Sequence, residues 1–559
     1  MDTIQIIITL ILFVLLVIPM GKYLYKVISK EKSFADPVFN KIDNLIFKCC
    51  SIDSEEMSWK KYAASLLITN LVMALICFLI LLIQGIHLLN PNGIKGMNIG
   101  LAFNTAISFI TNTNLQNYSG ESGVSYLSQM AVMTYLMFTS AATGFAVAAG
   151  FMRGIIGKKK TIGNYYIDLV RVITRVLLPI SMIIAVVLIS QGVPQTLSTN
   201  VTANTIEGKL QDIALGPVAS LEAIKQFGTN GGGFFGANSA HPFENPNPFT
   251  NLIEILSMML LSGSIVYAFG LMVKNKKQGW TIFIAMSVLF LITLPVCYHA
   301  EHAGNPNLAA IGLSQAAGNM EGKEVRFGVA ESSLFTSVTT AFTTGAVNTS
   351  IDSLTPLGSF VPMWNMMLNV AFGGKGVGFI GMIMYAILTV FICGLMVGRT
   401  PEFLSKKIEG KEIKLIASAI LIHPLIILMP TAFTLISKNG LSSIAYPGFH
   451  GLSQVLYMFT TSAANNGSSM QGLASTTTFW NISTGFIMLL GRYVSIILLL
   501  AVAGSLSSKR TIPETSGTFR TDNSTFIAML IFIVLIIGAL TFLPALMLGP
   551  VAEHLTLRR

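Results

Sequence analysis

Long apolar runs alternate with short polar interruptions along this chain, and the runs set its architecture. Stretches near 4–26, 62–84, 129–152, 166–190, 250–273, 280–298, 363–397, 414–436, 478–505 and 523–548 can each cross a hydrocarbon core as a helix, which takes about 20 residues. They predict an all-α polytopic membrane protein with about ten transmembrane helices. Four polar strips recur between them: Thr111-Asn-Thr-Asn-Leu-Gln116, Thr229-Asn-Gly-Gly-Gly233, Thr343-Thr-Gly-Ala-Val-Asn348 and Thr461-Ser-Ala-Ala-Asn-Asn-Gly467. Their leading threonines are 118, 114 and 118 residues apart, which predicts a repeat. A moderately apolar stretch precedes each strip: Ala102–Ile110, Ala219–Phe227, Glu331–Phe342 and Gly451–Phe459. These stretches are too short to span, so each reads as a re-entrant half-helix.

The grammar of span, outer segment, half-helix, strip, span and inner basic patch repeats four times in one orientation. It divides the chain into a first span and inner loop (1–61), repeats at 62–160, 161–278, 279–413 and 414–510, and a last span and tail (511–559). Parallel repeats of this kind differ from the inverted repeats of many secondary transporters. Tyr135–Gly144 resembles the fourth strip but lies inside a span, where small residues serve helix packing. The long outer segments 191–249 and 299–362 are candidates for a structured cap.

Composition places the chain in lipid. It is 52% hydrophobic and 11% charged, where a soluble domain carries about 25% charged residues. The formal charge of +10 marks orientation: 23 Lys and Arg fall in the loops 22–61, 153–160, 274–277, 399–414 and 509–520, against eight on the other side. By the positive-inside rule the strips and both termini are extracytoplasmic. The basic loops are interleaved with Asp and Glu, which argues against nucleic acid. Met1–Met20 lacks a positive n-region and a cleavage site, so it reads as a retained first span. Five cysteines without a C-x-x-C pair predict neither a disulfide framework nor a metal cluster.

The strips carry the chemistry. A half-helix entering from outside ends near mid-membrane, where its partial negative charge favours a cation. Backbone carbonyls of the following strip can replace the ion's hydration shell, and glycine allows the backbone this requires. No strip contains Asp or Glu, which calcium or magnesium would want, and none contains the Lys or Arg of an anion pore. A monovalent cation, potassium before sodium, is the expected ligand.

These strips, together with Ala237-Asn-Ser-Ala-His-Pro-Phe-Glu-Asn-Pro246 and Gly398-Arg-Thr-Pro-Glu402, resemble the potassium-binding A subunit of the bacterial Kdp potassium-transporting P-type ATPases over nearly the whole chain. The resemblance implies filter residues Asn112, Thr113 and Asn114; Thr229, Asn230, Gly231 and Gly232; Thr343, Thr344 and Gly345; and Asn465, Asn466 and Gly467. It implies K+ as the transported ion, a place in the bacterial plasma membrane, and a complex with a P-type ATPase catalytic subunit, small accessory membrane subunits and lipid. ATP would be used by the partner only. The chain itself has no G-x-x-x-x-G-K-[ST] and no D-K-T-G sequence. An autonomous channel-like or gradient-driven potassium transporter is the alternative. A membrane-embedded enzyme is disfavoured, because no paired intramembrane carboxylates are evident.

Two features inside apolar runs point to the ion path. Ala371–Phe379 interrupts 363–397 with Gly373, Gly374 and Lys375, and suggests a break or gating loop. Arg492 lies in the apolar run Phe486–Val502, where a charge costs at least about 2.5 kcal/mol unless it faces water or a partner. Arg399 sits at an inner helix end. His299-Ala-Glu-His302 reads as an outer loop without a third metal ligand nearby.

Overall fold

The protein is described by a computed structural model covering all residues except 1, 33–35, 87, 158, 375, 514–518 and 558–559. It is built almost wholly of helices. Ten are long and apolar enough to cross a membrane: Thr3–Ser29, Trp59–Leu82, Tyr126–Ile156, Tyr165–Ser190, Pro248–Met272, Lys276–Ala310, Val377–Met396, Gly410–Ile436, Thr478–Ser507 and Ser524–Leu557. Among the described residues, strand structure is confined to three small two-stranded sheets, two of them hairpins.

Burial separates central from peripheral spans. The third, fifth and seventh spans, which follow the first three strips, are 72, 83 and 72% buried, whereas the first, eighth and tenth are 28% buried. The peripheral spans expose Leu, Ile and Phe, such as Ile7, Leu421, Phe433 and Phe532. Such faces are stable only against lipid.

Four shorter helices precede the strips: Ile99–Ile110, Val218–Phe227, Gly328–Ala341 and Phe449–Ala464. The fourth differs most from expectation. Ser462, Ala463 and Ala464 continue the helix, so Thr461 is helical and the loop starts only at Asn465.

The run 363–397 is not one span. A helix over Pro356–Leu368 stops at Asn369, which takes a left-handed conformation, and a second helix starts at Val377. Between them Phe372, Gly373 and Gly376 all have positive φ. A Cβ on Gly373 would collide with the backbone of Gly378, so glycine is needed for the tight turn.

The long segments are partly structured. Residues 191–249 carry a hairpin pairing Val201–Asn204 with Leu210–Ile213. His299-Ala-Glu-His302 is the helical end of the sixth span rather than a loop. Its chemistry lies in Glu301, wholly buried, which accepts from Lys323 Nζ at 2.6 Å and from the Thr355 backbone N–H at 2.8 Å. On the basic side, buried Lys406 donates to the carbonyls of Gly157 (2.6 Å) and Leu506 (2.9 Å), tying a hairpin to the ends of the third and ninth spans.

Candidate functional site

Each half-helix ends in the same way. A left-handed residue follows each helix, directly in the fourth and after one intervening residue in the others: Asn112 (φ 64°), Thr229 (43°), Thr343 (51°) and Asn465 (55°). The next residue returns its N–H to a carbonyl five positions back: Thr113 to Ser108 (2.9 Å), Asn230 to Lys225 (2.8 Å), Thr344 to Thr339 (2.7 Å) and Asn466 to Thr461 (2.9 Å). This is the Schellman arrangement, which satisfies terminal carbonyls and turns the chain sharply. Glycine normally takes the left-handed position. Asn tolerates it, but a β-branched threonine there is strained. The shared geometry fixes the register. Asn112, Thr229, Thr343 and Asn465 are equivalent; so are Asn114, Gly231, Gly345 and Gly467. The leading threonines are not equivalent, because Thr111 precedes its left-handed residue by one position and Thr461 by four.

The four strips meet on one axis. A Cβ placed on Gly231 would lie 2.9 Å from Asn466 O, 3.0 Å from Thr113 O and 3.1 Å from Gly345 Cα, so strips one, three and four all converge on the second. A Cβ on Gly345 would collide with the Asn466 carbonyl, and one on Gly467 with the Thr113 carbonyl. Gly345 and Gly467 also have φ of 97° and 107°, where a side chain would be strained. Gly232 packs against Phe109 and the Asn114 carbonyl.

Cross-strip hydrogen bonds hold the ring together. Asn112 Nδ2 donates to Thr229 O at 2.7 Å, Asn465 Nδ2 to Thr113 Oγ1 at 2.9 Å, and Asn466 Nδ2 to Thr339 O at 2.9 Å. Gln116 and the Gly233 backbone exchange two bonds, both 2.9 Å. Other buried polar atoms in the strips have no partner among the described residues: both amide atoms of Asn114, Thr229 Oγ1, Asn230 Oδ1 and Thr344 Oγ1. A cluster of such atoms on one axis suits a polar or ionic ligand.

A cavity lies at each end of the strips. One, of about 400 Å³, is lined by Asn114, Gly231, Gly345 and Gly467 with Gln116, Asn238 and Ser468, and no charged side chain among the described residues lines it. The other, about 90 Å³, is lined by Asn112, Thr343 and Asn465 from the opposite end of the strips. Arg492 and His423 line it too, as do Asn369 and Gly374 from the broken span. Asn369 Oδ1 accepts from Thr343 Oγ1 at 3.0 Å, and Gly373 N–H donates to Ala341 O at 2.8 Å, so the break lies directly against the third strip. Arg492 sits in a π-helical turn of the ninth span, is 5% exposed, and donates to Ser140 O at 3.3 Å. Arg399 is exposed at the end of the seventh span and does not line this cavity. Lys375 lies outside the described residues.

Paired buried carboxylates, unexpected from the sequence, are present. Glu222, Glu244 and Glu254 gather around Lys225 behind the second strip, and all four side chains are wholly buried. Lys225 Nζ lies 2.6 Å from both Glu222 Oε2 and Glu244 Oε2. Lys225 is one of the eight Lys and Arg on the side opposite the basic loops. The available signal was Glu222 and Lys225 at i, i+3 in a ten-residue apolar stretch, with Glu254 inside the fifth span.

The family described as KdpA, the potassium-transporting ATPase A subunit, matches residues 7–555. A potassium-transporting ATPase potassium-binding subunit from Clostridium acetobutylicum is 62% identical over 558 residues, covering 100% of both chains. Proteins of the same description from Geobacillus kaustophilus and Caldanaerobacter subterraneus subsp. tengcongensis are 57 and 53% identical, each over 98% of both chains. The crystal structure of the potassium transporter TrkH from Vibrio parahaemolyticus superposes with a TM-score of 0.54 at 13% identity, over 89% of this chain and 98% of that one. At that identity the likeness speaks for the fold alone.

Proposed function

The chain belongs to the potassium-transporting ATPase A subunit family, and from that premise we propose that its four strips form a potassium-selective filter in an ATP-driven uptake complex. The observation that carries this reading is the convergence of the Thr113 and Asn466 carbonyls on Gly231 and Gly345. Potassium enters from the extracytoplasmic side through the uncharged 400 Å³ vestibule and exchanges water for carbonyl oxygens. Hydrogen bonds between strips resist contraction of the ring around the smaller sodium ion. The half-helix C-termini supply a favourable potential for any monovalent cation, so they set affinity more than selectivity.

The chain is not catalytic alone; a partner P-type ATPase subunit hydrolyses ATP, with small accessory subunits and lipid completing the complex. The repeats run 62–160, 161–278, 279–413 and 414–510, and both termini are extracytoplasmic. Below the filter the Gly373–Gly374 break acts as a gate and Arg492 as a fixed cation that opposes ion escape.

The test is ATP hydrolysis by the copurified complex, titrated with potassium and with sodium. Wild type should respond to low potassium and ignore sodium. Gly231→Ser, whose Cβ meets backbone atoms that cannot yield, should lose potassium affinity and selectivity while still assembling. Wild-type discrimination in that variant would refute the filter. Potassium flux through the isolated chain in liposomes, with no ATPase partner, would favour an autonomous transporter.

A further inference from the structure

The second strip is braced differently from the others. Lys225 is the register equivalent of Ser108, Thr339 and Thr461. In the third and fourth strips the hydroxyl at this position caps the strip itself: Thr339 Oγ1 accepts the Gly345 N–H at 2.9 Å and Thr461 Oγ1 the Gly467 N–H at 3.0 Å. Lysine cannot accept such a bond. Its ammonium instead donates to Asn238 Oδ1 at 2.8 Å, and Asn238 Nδ2 donates to the Gly231 carbonyl at 2.7 Å.

We infer that Lys225 and Asn238 are positioning residues that orient the Gly231 carbonyl and thereby set cation discrimination at the second strip; this rests on the filter reading above. Asn238 is suited to the task. It is 6% exposed and left-handed (φ 55°), and its Oδ1 also accepts the Val347 N–H of the third strip at 3.4 Å. One amide therefore links the two strips. Lys225 is immobilised in turn by Glu222, Glu244 and the Ser239 hydroxyl (2.9 Å). Glu244 Oε1 accepts the Phe235 N–H at 2.7 Å, pinning the turn that carries the chain from Gly233 to Asn238. Two carboxylates, Glu222 and Glu244, face one ammonium in a wholly buried cluster, where an unpaired charge would be costly. A lysine so held cannot swing, and it polarises the Asn238 amide toward the carbonyl it serves.

The experiment reads thermal stabilisation of the purified complex by KCl and, separately, by NaCl. Asn238→Ala removes the donor to Gly231 O. Asn238→Asp keeps an acceptor for Lys225 but presents no amide donor to that carbonyl. Both should raise the potassium concentration for half-maximal stabilisation about tenfold and lower the potassium-to-sodium preference by a similar factor. Thr202→Ala, on the exposed hairpin of 191–249 and away from the relay, should keep the wild-type preference. Restoration of the preference by Asp would mean that Asn238 serves only Lys225, and would overturn the relay. Unchanged preference in the Ala and Asp variants would overturn it equally. A wild-type complex without potassium preference would overturn the functional reading and the relay together.

Discussion

The second and fourth strips share one backbone geometry and are held in place by opposite chemistry. Both begin with a left-handed residue, both return an N–H five residues back, and both place a glycine at the third position. Behind the fourth strip the braces are neutral: Thr461 Oγ1 on Gly467 N–H, Asn465 Nδ2 on Met488 O, and Ser468 Oγ on Asn466 Oδ1. Behind the second they are charged, with Lys225 among buried carboxylates. Neutral braces fail singly and locally. A charged, desolvated cluster fails as a unit, because each lost partner leaves another ion buried without compensation. The four strips are thus alike in backbone and unlike in what supports them.

The largest expected effect follows from that difference. Lys225→Met leaves Glu222 and Glu244 without their cation, and breaking a buried pair in this way costs about 3–5 kcal/mol. Thr461→Val removes one neutral hydrogen bond, about 1 kcal/mol. Thermal denaturation of the two complexes should differ in that order. Comparable losses would mean that the carboxylates neutralise one another and that the two braces are energetically alike.

A second, smaller effect tests whether charge matters to the fourth strip at all. Its half-helix carries a charged group at the far end: His450 lies between Asp352 Oδ1 (3.2 Å) and Glu553 Oε1 (3.0 Å). Burial disfavours the imidazolium, but its hydrogen bonds to the two carboxylates outweigh that and raise the pKa to about 9. The folded value exceeds the free value of about 6.5, so the stabilisation is complete below pH 6.5 and is lost as pH rises through 9. At Asp352 burial raises the pKa, but hydrogen bonds from His450 and Gln454 prevail and lower it, so its contribution is lost only in acid. Melting temperature should therefore fall between pH 6.5 and 9. His450→Gln should flatten that slope, by roughly 1 kcal/mol after solvent screening, without altering cation preference. A change in preference would show that the ends of this half-helix are coupled.

What the sequence revealed divides along the same line. The spans were legible because lipid imposes long apolar runs, and the strips because Thr, Asn and Gly recur without charge. The exact register was not legible, since Ser462–Ala464 suit either helix or loop and only the left-handed Asn465 ends the helix. The split of 363–397 was visible in its glycines, but the helix Pro356–Leu368 was folded into one over-long run. The charged brace was invisible for a different reason. Lys225, Asn238, Glu244 and Glu254 belong to a half-helix, a turn, a loop and a span, and no periodicity links them. Charges read singly look like surface; only the fold shows that they share one dry pocket.

The smallest expected effect concerns the residues that the four strips do not share. Two left-handed positions are Asn and two are Thr, though threonine pays a steric cost there that asparagine largely avoids. Thr343 Oγ1 is engaged, donating to Asn369 Oδ1 across to the broken span, whereas Thr229 Oγ1 has no partner among the described residues. Relief of strain is thus opposed by a lost bond at Thr343 and unopposed at Thr229. Thr229→Asn should leave stability unchanged or raise it by about 0.5–1 kcal/mol, and Thr343→Asn should lower it slightly, as read by thermal denaturation without added potassium. If Thr229→Asn weakens potassium binding while the apo complex melts higher, then the Thr229 hydroxyl faces the ion and its strain is maintained for binding. If both variants behave alike, the contact with Asn369 contributes nothing, and the broken span is not mechanically tied to the third strip.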